Sequence, residues 1–402
     1  MGKRLLIVLS LVILAASPLW AGGWNNTLIG CRAISLGGAF AGVADDASAI
    51  FYNPAGLAFQ QRDFTISING FNVSPTHQYA DSLGTDIQSK SNFTIPQLFF
   101  AFKASERLTL GFGAYVPYAG GGVEWNASTI GLYVKSYMGI MSLTPTLAYQ
   151  INDKFSLGVN LNIYRGILED RRTMEHVGTV VTEENGGALS LGIGLMFRPT
   201  ERIGIGMDVR GPARMTLSGK TKVPVIVPEI GSFEAAISSE TQFNLPWDFE
   251  LGFSYRLSNK FLFSTGFQYT MWSALDKIEK TLKDVPLVGD QKTEEQMNFK
   301  NILLWRAGIE YWVTAGLALR GGIGIDRWAT PSETLDFSNI DVDKFTLLGG
   351  LGYRSGHIQL DVVFAYAQGK EREKVEKFLG VPVQERFNLN TFILGLGITY
   401  TR

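Results

Sequence analysis

From residue 64 onward the chain alternates apolar residues with polar or small ones at period two, in runs too long for an ordinary soluble sheet. The clearest run sets Phe243, Leu245, Trp247, Phe249, Leu251, Phe253, Tyr255 and Leu257 against Asn244, Pro246, Asp248, Glu250, Gly252, Ser254 and Arg256. Successive side chains of a strand point to opposite faces, so this reads as one strand with a greasy side and a wet side. It runs about three times the usual strand of about 5–6 residues. A tilted strand that crosses hydrocarbon needs about 9–11 residues and projects further. The pattern recurs in Phe155–Ile163, Leu189–Phe197, Ile203–Val209, Phe261–Tyr269, Ile358–Tyr366 and Phe392–Tyr400.

The connections alternate too. Short turns are expected near Ala104–Glu106, Asn152-Asp153, Pro199–Glu201, Ser258-Asn259, Thr314-Ala315 and Ser355-Gly356. Long polar loops are expected near 75–91, 118–136, 168–186, 219–237, 273–297, 328–344 and 370–387. Six short and seven long connections join about fourteen strands, the signature of a transmembrane barrel. The fold class is therefore all-β, a transmembrane antiparallel barrel. Closure follows from lipid, which leaves no partner for an open sheet edge. Tyr149, Trp247, Trp272, Trp312, Tyr353 and Tyr400 would suit the aromatic girdles at the two interfaces.

The N-terminus reads as a secretory address. Lys3 and Arg4 precede the apolar run Leu5–Ala16, and small residues around Ala21 suit cleavage after it. That run is too short to span as a helix, which takes about 20 residues. Three regions are expected: residues 1–21 as signal peptide, 22–63 as a plug, and 64–402 as the barrel. The destination is the outer membrane, with both termini on the periplasmic side. Leu28-Ile29-Gly30-Cys31 resembles a lipoprotein box, but polar residues 22–27 separate it from the apolar run.

Charged residues make up 18%, and the net charge of -1 gives a nucleic acid no basic surface. One cysteine excludes an internal disulfide, and His77, His176 and His357 are spaced unlike metal ligands. Neither a cofactor nor a metal is expected. No Ser/His arrangement suggests an enzyme.

Residues 22–63 do not alternate. Small residues dominate, with Phe40, Ile50, Phe51, Tyr52, Leu57 and Phe59 too apolar for a disordered leader. Asp45 and Asp46 are placed to cap a short helix through Ser48 and Ile50, and Asn53-Pro54 would stop it. Leu36-Gly-Gly-Ala-Phe, Ala44-Asp-Asp-Ala and Tyr52-Asn-Pro-Ala-Gly-Leu together resemble the hatch of the outer-membrane long-chain fatty-acid transporter family, which includes toluene- and xylene-uptake channels. The likeness continues through Val116-Pro117-Tyr118, Asn244-Leu245-Pro246, Arg306–Tyr311, Leu319–Gly322 and the final strand. Thr401-Arg402 after Tyr400 departs from the terminal aromatic residue common in such barrels.

The resemblance implies a luminal hatch, capture of a hydrophobic molecule between outer loops, and sideways release beside a kinked third strand. Asp45, Asp46, Asn53, Pro54 and Ala55 would then gate, with Asn53–Ala55 meeting a kink at Pro117, Tyr118, Gly120 and Gly121. A Pro followed by glycines suits an interrupted strand, since Pro cannot donate to the ladder. The ligand would be a fatty acid or an aromatic hydrocarbon, with outer-membrane lipid and detergent-like molecules as surroundings and a monomer as the expected state. Arg306, Arg320 and Arg210 point inward by alternation, as candidates for a ligand carboxylate or as partners of luminal acids. Val225, Ile226 and Val227, with Leu275, Ile278 and Leu282 on a short amphipathic helix, are candidates for the outer groove. The rival reading is a structural barrel that partners a secretion or surface-assembly system.

Overall fold

The computed structural model describes residues 24–127, 132–174, 178–227, 231–285, 288–335, 340–378 and 380–402. The expected signal peptide lies outside them. The described strands are β1 (Phe64–Asp81), β2 (Asp86–Lys90), β3 (Phe93–Lys103), β4 (Leu108–Ala127), β5 (Leu132–Gln150), β6 (Phe155–Met174) and β7 (Gly178–Thr200). Then come β8 (Ile203–Arg210), β9 (Ala213–Val227), β10 (Gly231–Leu245), β11 (Asp248–Ser258), β12 (Phe261–Thr270), β13 (Lys277–Val285) and β14 (Gly289–Gln296). The last are β15 (Ile302–Trp312), β16 (Leu317–Asp326), β17 (Lys344–Ser355), β18 (Ile358–Gly369), β19 (Arg372–Phe378) and β20 (Val381–Thr401).

The wall runs β1–β3–β4–β5–β6–β7–β8–β11–β12–β15–β16–β17–β18–β20, antiparallel throughout. β20 returns to β1 from Thr65↔Thr401 to Asp81↔Glu385, which closes a barrel of 14 strands. The six short turns fall within a residue or two of where the sequence places them, as at Asn259-Lys260 between β11 and β12 against the expected Ser258-Asn259. Outward side chains are apolar: Leu189, Leu191 and Ile193 stand exposed on β7 while Ser190 lies inward. In water such a surface would aggregate; in a bilayer it is the lipid face.

Two expectations need correction. Most of the expected long loops are paired strands that extend the barrel outward; β9 pairs with β10 from Ala213↔Leu245 to Val227↔Gly231. Their polar composition reflects exposure to water on the outer face, while the backbone still satisfies itself in ladders. The expected girdle also loses Trp272, which is fully buried. Ser264, Gln268 and Thr270 face the lumen, so Trp272, two residues on, shares their side. Tyr149, Trp247, Tyr353 and Tyr400 do face outward. Trp312 is half-buried, its Nε1 donating to Glu310.

Ahead of β1, short helices at Cys31–Ser35 and Ala49–Tyr52 and a 3-10 helix at Pro54–Phe59 pack inside the barrel. Asp46 accepts hydrogen bonds from the backbone N–H and the hydroxyl of Ser48, which starts the second helix. The Asn53 side chain accepts from Ala55 N and Pro54 opens the 3-10 turn, where its missing N–H costs nothing. The wall meets this segment with glycines. A Cβ on Gly158 would run into Pro54 and Ala55, on Gly194 into Asn53, on Gly206 into Ala41, and on Gly308 into Leu36. The inward small residues of the alternation are therefore the seat of the N-terminal segment.

Candidate functional site

Alternation slips at several places along the wall, and five of the slips build the site. On β11 the even residues Asp248 and Glu250 face inward, yet on β10 the odd residues Phe243 and Leu245 do. Pro246-Trp247 breaks what the sequence reads as one strand, and a one-residue slip exchanges the two faces. The same exchange occurs at Gly211-Pro212, from inward Arg210 to inward Ala213. It recurs after Trp272, from Trp272 to Leu275, and at Lys300-Asn301, from Phe299 to Ile302. On β4 it is a bulge between Tyr115 and Tyr118. Each slip turns apolar side chains that would face lipid toward the lumen.

They meet there in a cluster that includes Trp24, Tyr118, Tyr164, Phe243, Trp272 and Phe299. The Trp24 ring lies edge-on to Phe243 at 5.2 Å, to Trp272 at 5.8 Å and to Phe299 at 6.0 Å. Such aromatic pairs contribute about 0.5–1.5 kcal/mol each beyond buried area.

Between this cluster and the N-terminal segment lies a polar layer. Arg210 donates to Phe51 O at 3.1 Å, sits 3.5 Å from Asp208 and stacks over the Phe51 ring. Asp248 accepts from Gln268 at 2.7 Å and Thr270 at 3.0 Å, and Thr270 in turn accepts from Asn25. Arg306 donates to Gln268 at 2.7 Å. Arg320 stands apart, on the short-turn side, held by Glu310 at 2.7 Å and Asp361 at 2.6 Å. Arg32 of the N-terminal segment shares Glu310 at 2.8 Å and pairs with Asp45, beside Asp46 at 3.5 Å. Burial alone would push the Asp45 carboxyl up, but the Arg32 guanidinium holds it below the usual range. Burial prevails at Asp46, which is pushed up despite Arg32. Arg32, Asp45, Asp46 and Glu310 line a cavity of about 960 Å³ that opens among the short turns.

The wall is incomplete beside the bulge. β3 and β4 pair only from Lys103↔Thr109 to Leu98↔Ala114, although β3 continues along β1 to Phe93. Residues 24–30 fill the place of the missing ladder. Asn26 N donates to Pro117 O at 2.8 Å, Ala119 N donates to Trp24 O at 2.9 Å, and Asn25 bridges Tyr118. On the other side Gly30 N donates to the Gln97 side chain at 2.9 Å, which itself donates to Leu28 O.

This corrects the expected contact of the Asn53-Pro54-Ala55 element. Asn53 donates to Leu195 O on β7 and Ser156 on β6 donates to Ala55 O, so the element docks on those strands. Trp24, Asn25 and Asn26 meet the kink instead, because they supply the backbone partners a bulged strand lacks. The expected amphipathic helix is also absent: Ile278 and Leu282 lie on β13, at strand spacing, buried with Leu275 inside the barrel. Val225, Ile226 and Val227 run along β9 opposite Phe233, Ser232 and Gly231. Their side chains lie outside the described residues. Gly120 packs against Trp24. Gly121, beside it on β4, pairs with Tyr137. The sequence reading missed Trp24, Asn26 and Gln97, for which no local pattern stood out; prolines at 117, 212 and 246 were the available signal for three of the slips.

The sequence profile of the outer membrane protein transport protein family (OMPP1/FadL/TodX) matches residues 12–401. The chain belongs to this family. It is an outer-membrane transport protein rather than an enzyme. Outer membrane protein P1 of Haemophilus influenzae is 23% identical, with 90% of each chain covered. A Pseudomonas aeruginosa FadL homologue has the same fold, with a TM-score of 0.75 and 18% identity over 94% of this chain and 97% of that one. The Pseudomonas putida toluene transporter TodX matches at a TM-score of 0.74 and 13% identity, over 94% of this chain and 99% of that one.

Proposed function

We propose that this chain takes up hydrophobic small molecules, with an aromatic ring or a long acyl chain, and releases them sideways through the wall. The observation that carries the reading is the unpaired stretch between β3 and β4, stopped by residues 24–30 beside an apolar luminal cluster. A molecule caught at the outer strands would pass to the cluster around Trp272 and Phe299. It would leave once the Trp24–Gly30 segment moves aside, while the rest of the hatch stays seated on Gly158, Gly194, Gly206 and Gly308. The toluene transporter among the structural relatives suits an aromatic cargo, and the resemblance to fatty-acid transporters suits an acyl one. A structural role in secretion is the weaker reading, since a lumen filled by loops would have no use for an apolar chamber. The test is uptake by a deletion strain complemented with this gene, using a radiolabelled long-chain fatty acid and a radiolabelled aromatic hydrocarbon. Uptake of at least one above the empty vector is expected; uptake of neither would refute the proposal.

A further inference from the structure

We infer that the luminal site selects a hydrophobic ligand with a neutral hydroxyl head, a phenol or an alcohol, over the matching carboxylate or ammonium. The inference rests on the uptake reading above. Asp208 and Glu250 stand directly opposite each other in register on β8 and β11. Like charges so placed repel. Asp208 Oδ1 and Glu250 Oε2 are buried and accept no hydrogen bond among the described residues. Arg306 is the chief positive charge acting on Glu250. Its Nη1 is engaged by Gln268, but its buried Nη2 has no hydrogen-bond acceptor and comes only to 4.0 Å from Asp326. The other groups of the layer have partners: Asp248 has Gln268 and Thr270, and Arg210 has Phe51 O and Asp208.

The layer thus holds two open acceptors and one open donor under an aromatic cluster, which adds the open donor Trp272 Nε1. A hydroxyl is the simplest head that answers both, with one O–H to donate and lone pairs to accept. A carboxylate would satisfy Arg306 and confront Asp208 and Glu250. An ammonium would satisfy those acids and confront Arg210 and Arg306. Either ion would also leave its water behind on entering apolar walls, a cost that a hydroxyl largely avoids. A fatty acid would bind here only with its proton on. Trp24, Trp272, Phe243 and Phe299 supply edges and faces for a ring above.

The test uses the full barrel in lipid nanodiscs at pH 7 and three probes with one body: 1-naphthol, 1-naphthoate and 1-naphthylmethylammonium. Calorimetry should give naphthol at least tenfold tighter than either ion. Glu250→Gln should tighten naphthoate relative to naphthol at least fivefold, with heat-modifiable gel mobility confirming the folded barrel. Naphthoate as tight as naphthol on the unaltered protein overturns the inference and leaves the uptake reading standing, as does an unchanged naphthol-to-naphthoate ratio in folded Glu250→Gln. Binding of none of the three overturns the inference, and the radiolabelled uptake assay decides the uptake reading separately.

Discussion

Replacing Trp24 by alanine should free the segment that stops the wall. The ring is buried and lies edge-on to Phe243, Trp272 and Phe299, contacts it makes only while the segment is docked. Truncating a buried Trp costs about 3–5 kcal/mol. Undocked, the side chain has no such partners, so the loss falls on the docked state. At about 1.4 kcal/mol per factor of ten, the docked-to-undocked ratio should fall about a hundredfold or more. The backbone bonds Asn26 N to Pro117 O and Ala119 N to Trp24 O do not involve the ring, so the segment still has a docked geometry to return to. Hydrogen exchange of the barrel in nanodiscs reads the ratio directly. The Asn26 and Ala119 amides should exchange about a hundredfold faster, while amides of β16 to β18 stay unchanged and serve as the internal standard. Trp24→Phe should fall between. Exchange at Asn26 and Ala119 within threefold of the unaltered protein would refute the argument that the ring holds the segment.

Four further outcomes are expected. Asn25→Cys with Tyr118→Cys joins the bridged pair; oxidised, it should reduce uptake to the vector background, and a reductant should restore it. Gly206→Val drives a side chain into Ala41 O, an overpacking cost of about 1–3 kcal/mol, so limited proteolysis should cut residues 24–60 sooner while the barrel keeps its gel mobility. Glu310→Gln leaves Arg32 and Arg320 short of a buried carboxylate, a loss of about 3–5 kcal/mol for a buried pair; the midpoint for protease release of the N-terminal segment in urea should drop accordingly. Because Arg32 holds Asp45 below its ordinary pKa, that pair contributes docking stability above about pH 4 and loses it as pH falls further; protease resistance of the segment should decline below about pH 4, and Asp45→Asn should lessen the decline.

Much of the barrel is legible in the sequence because lipid imposes a period of two over long runs, as in Leu189–Phe197. The slips were harder to see. Phe243 to Leu257 alternates without a fault in the sequence, yet the two halves face opposite ways, because alternation records only that neighbours differ and not which side is in. Arg214 shows the consequence: counted on from Arg210 it should face the lumen, but the slip at Pro212 puts it outside with Gln242. Leu275, Ile278 and Leu282 fit helical spacing as well as a strand with one irregular step, and a short apolar set cannot separate the two. The inward arginines were legible as charges, but their partners lie up to 278 residues away, as Arg32 and Glu310 do, beyond any local pattern.

The proposed lateral release would use β4 rather than another strand, for a reason the slips supply. A barrel with strict alternation would line its lumen with polar and small residues alone and would suit an aqueous pore. The five slips around the site convert part of that lining into an apolar cluster, and each interrupts backbone pairing. Pro117, Pro212 and Pro246 limit the damage, since a proline has no N–H to leave unpaired. At three slips the neighbouring wall supplies bonds of its own: Gly211 N donates to Leu191 O, Met271 N to Trp247 O and Lys300 N to Ala329 O. Leu191 lies on β7 and Trp247 immediately precedes β11, so separating those two pairs means opening the barrel. At β4 the partners are Trp24 and Asn26, on a segment that is not part of any wall strand. Its removal exposes the gap between β3 and β4 and leaves the ring intact. On the proposed lateral release, the break with a removable partner is the one that can serve as a door, and it stands beside the apolar cluster that the same slips create.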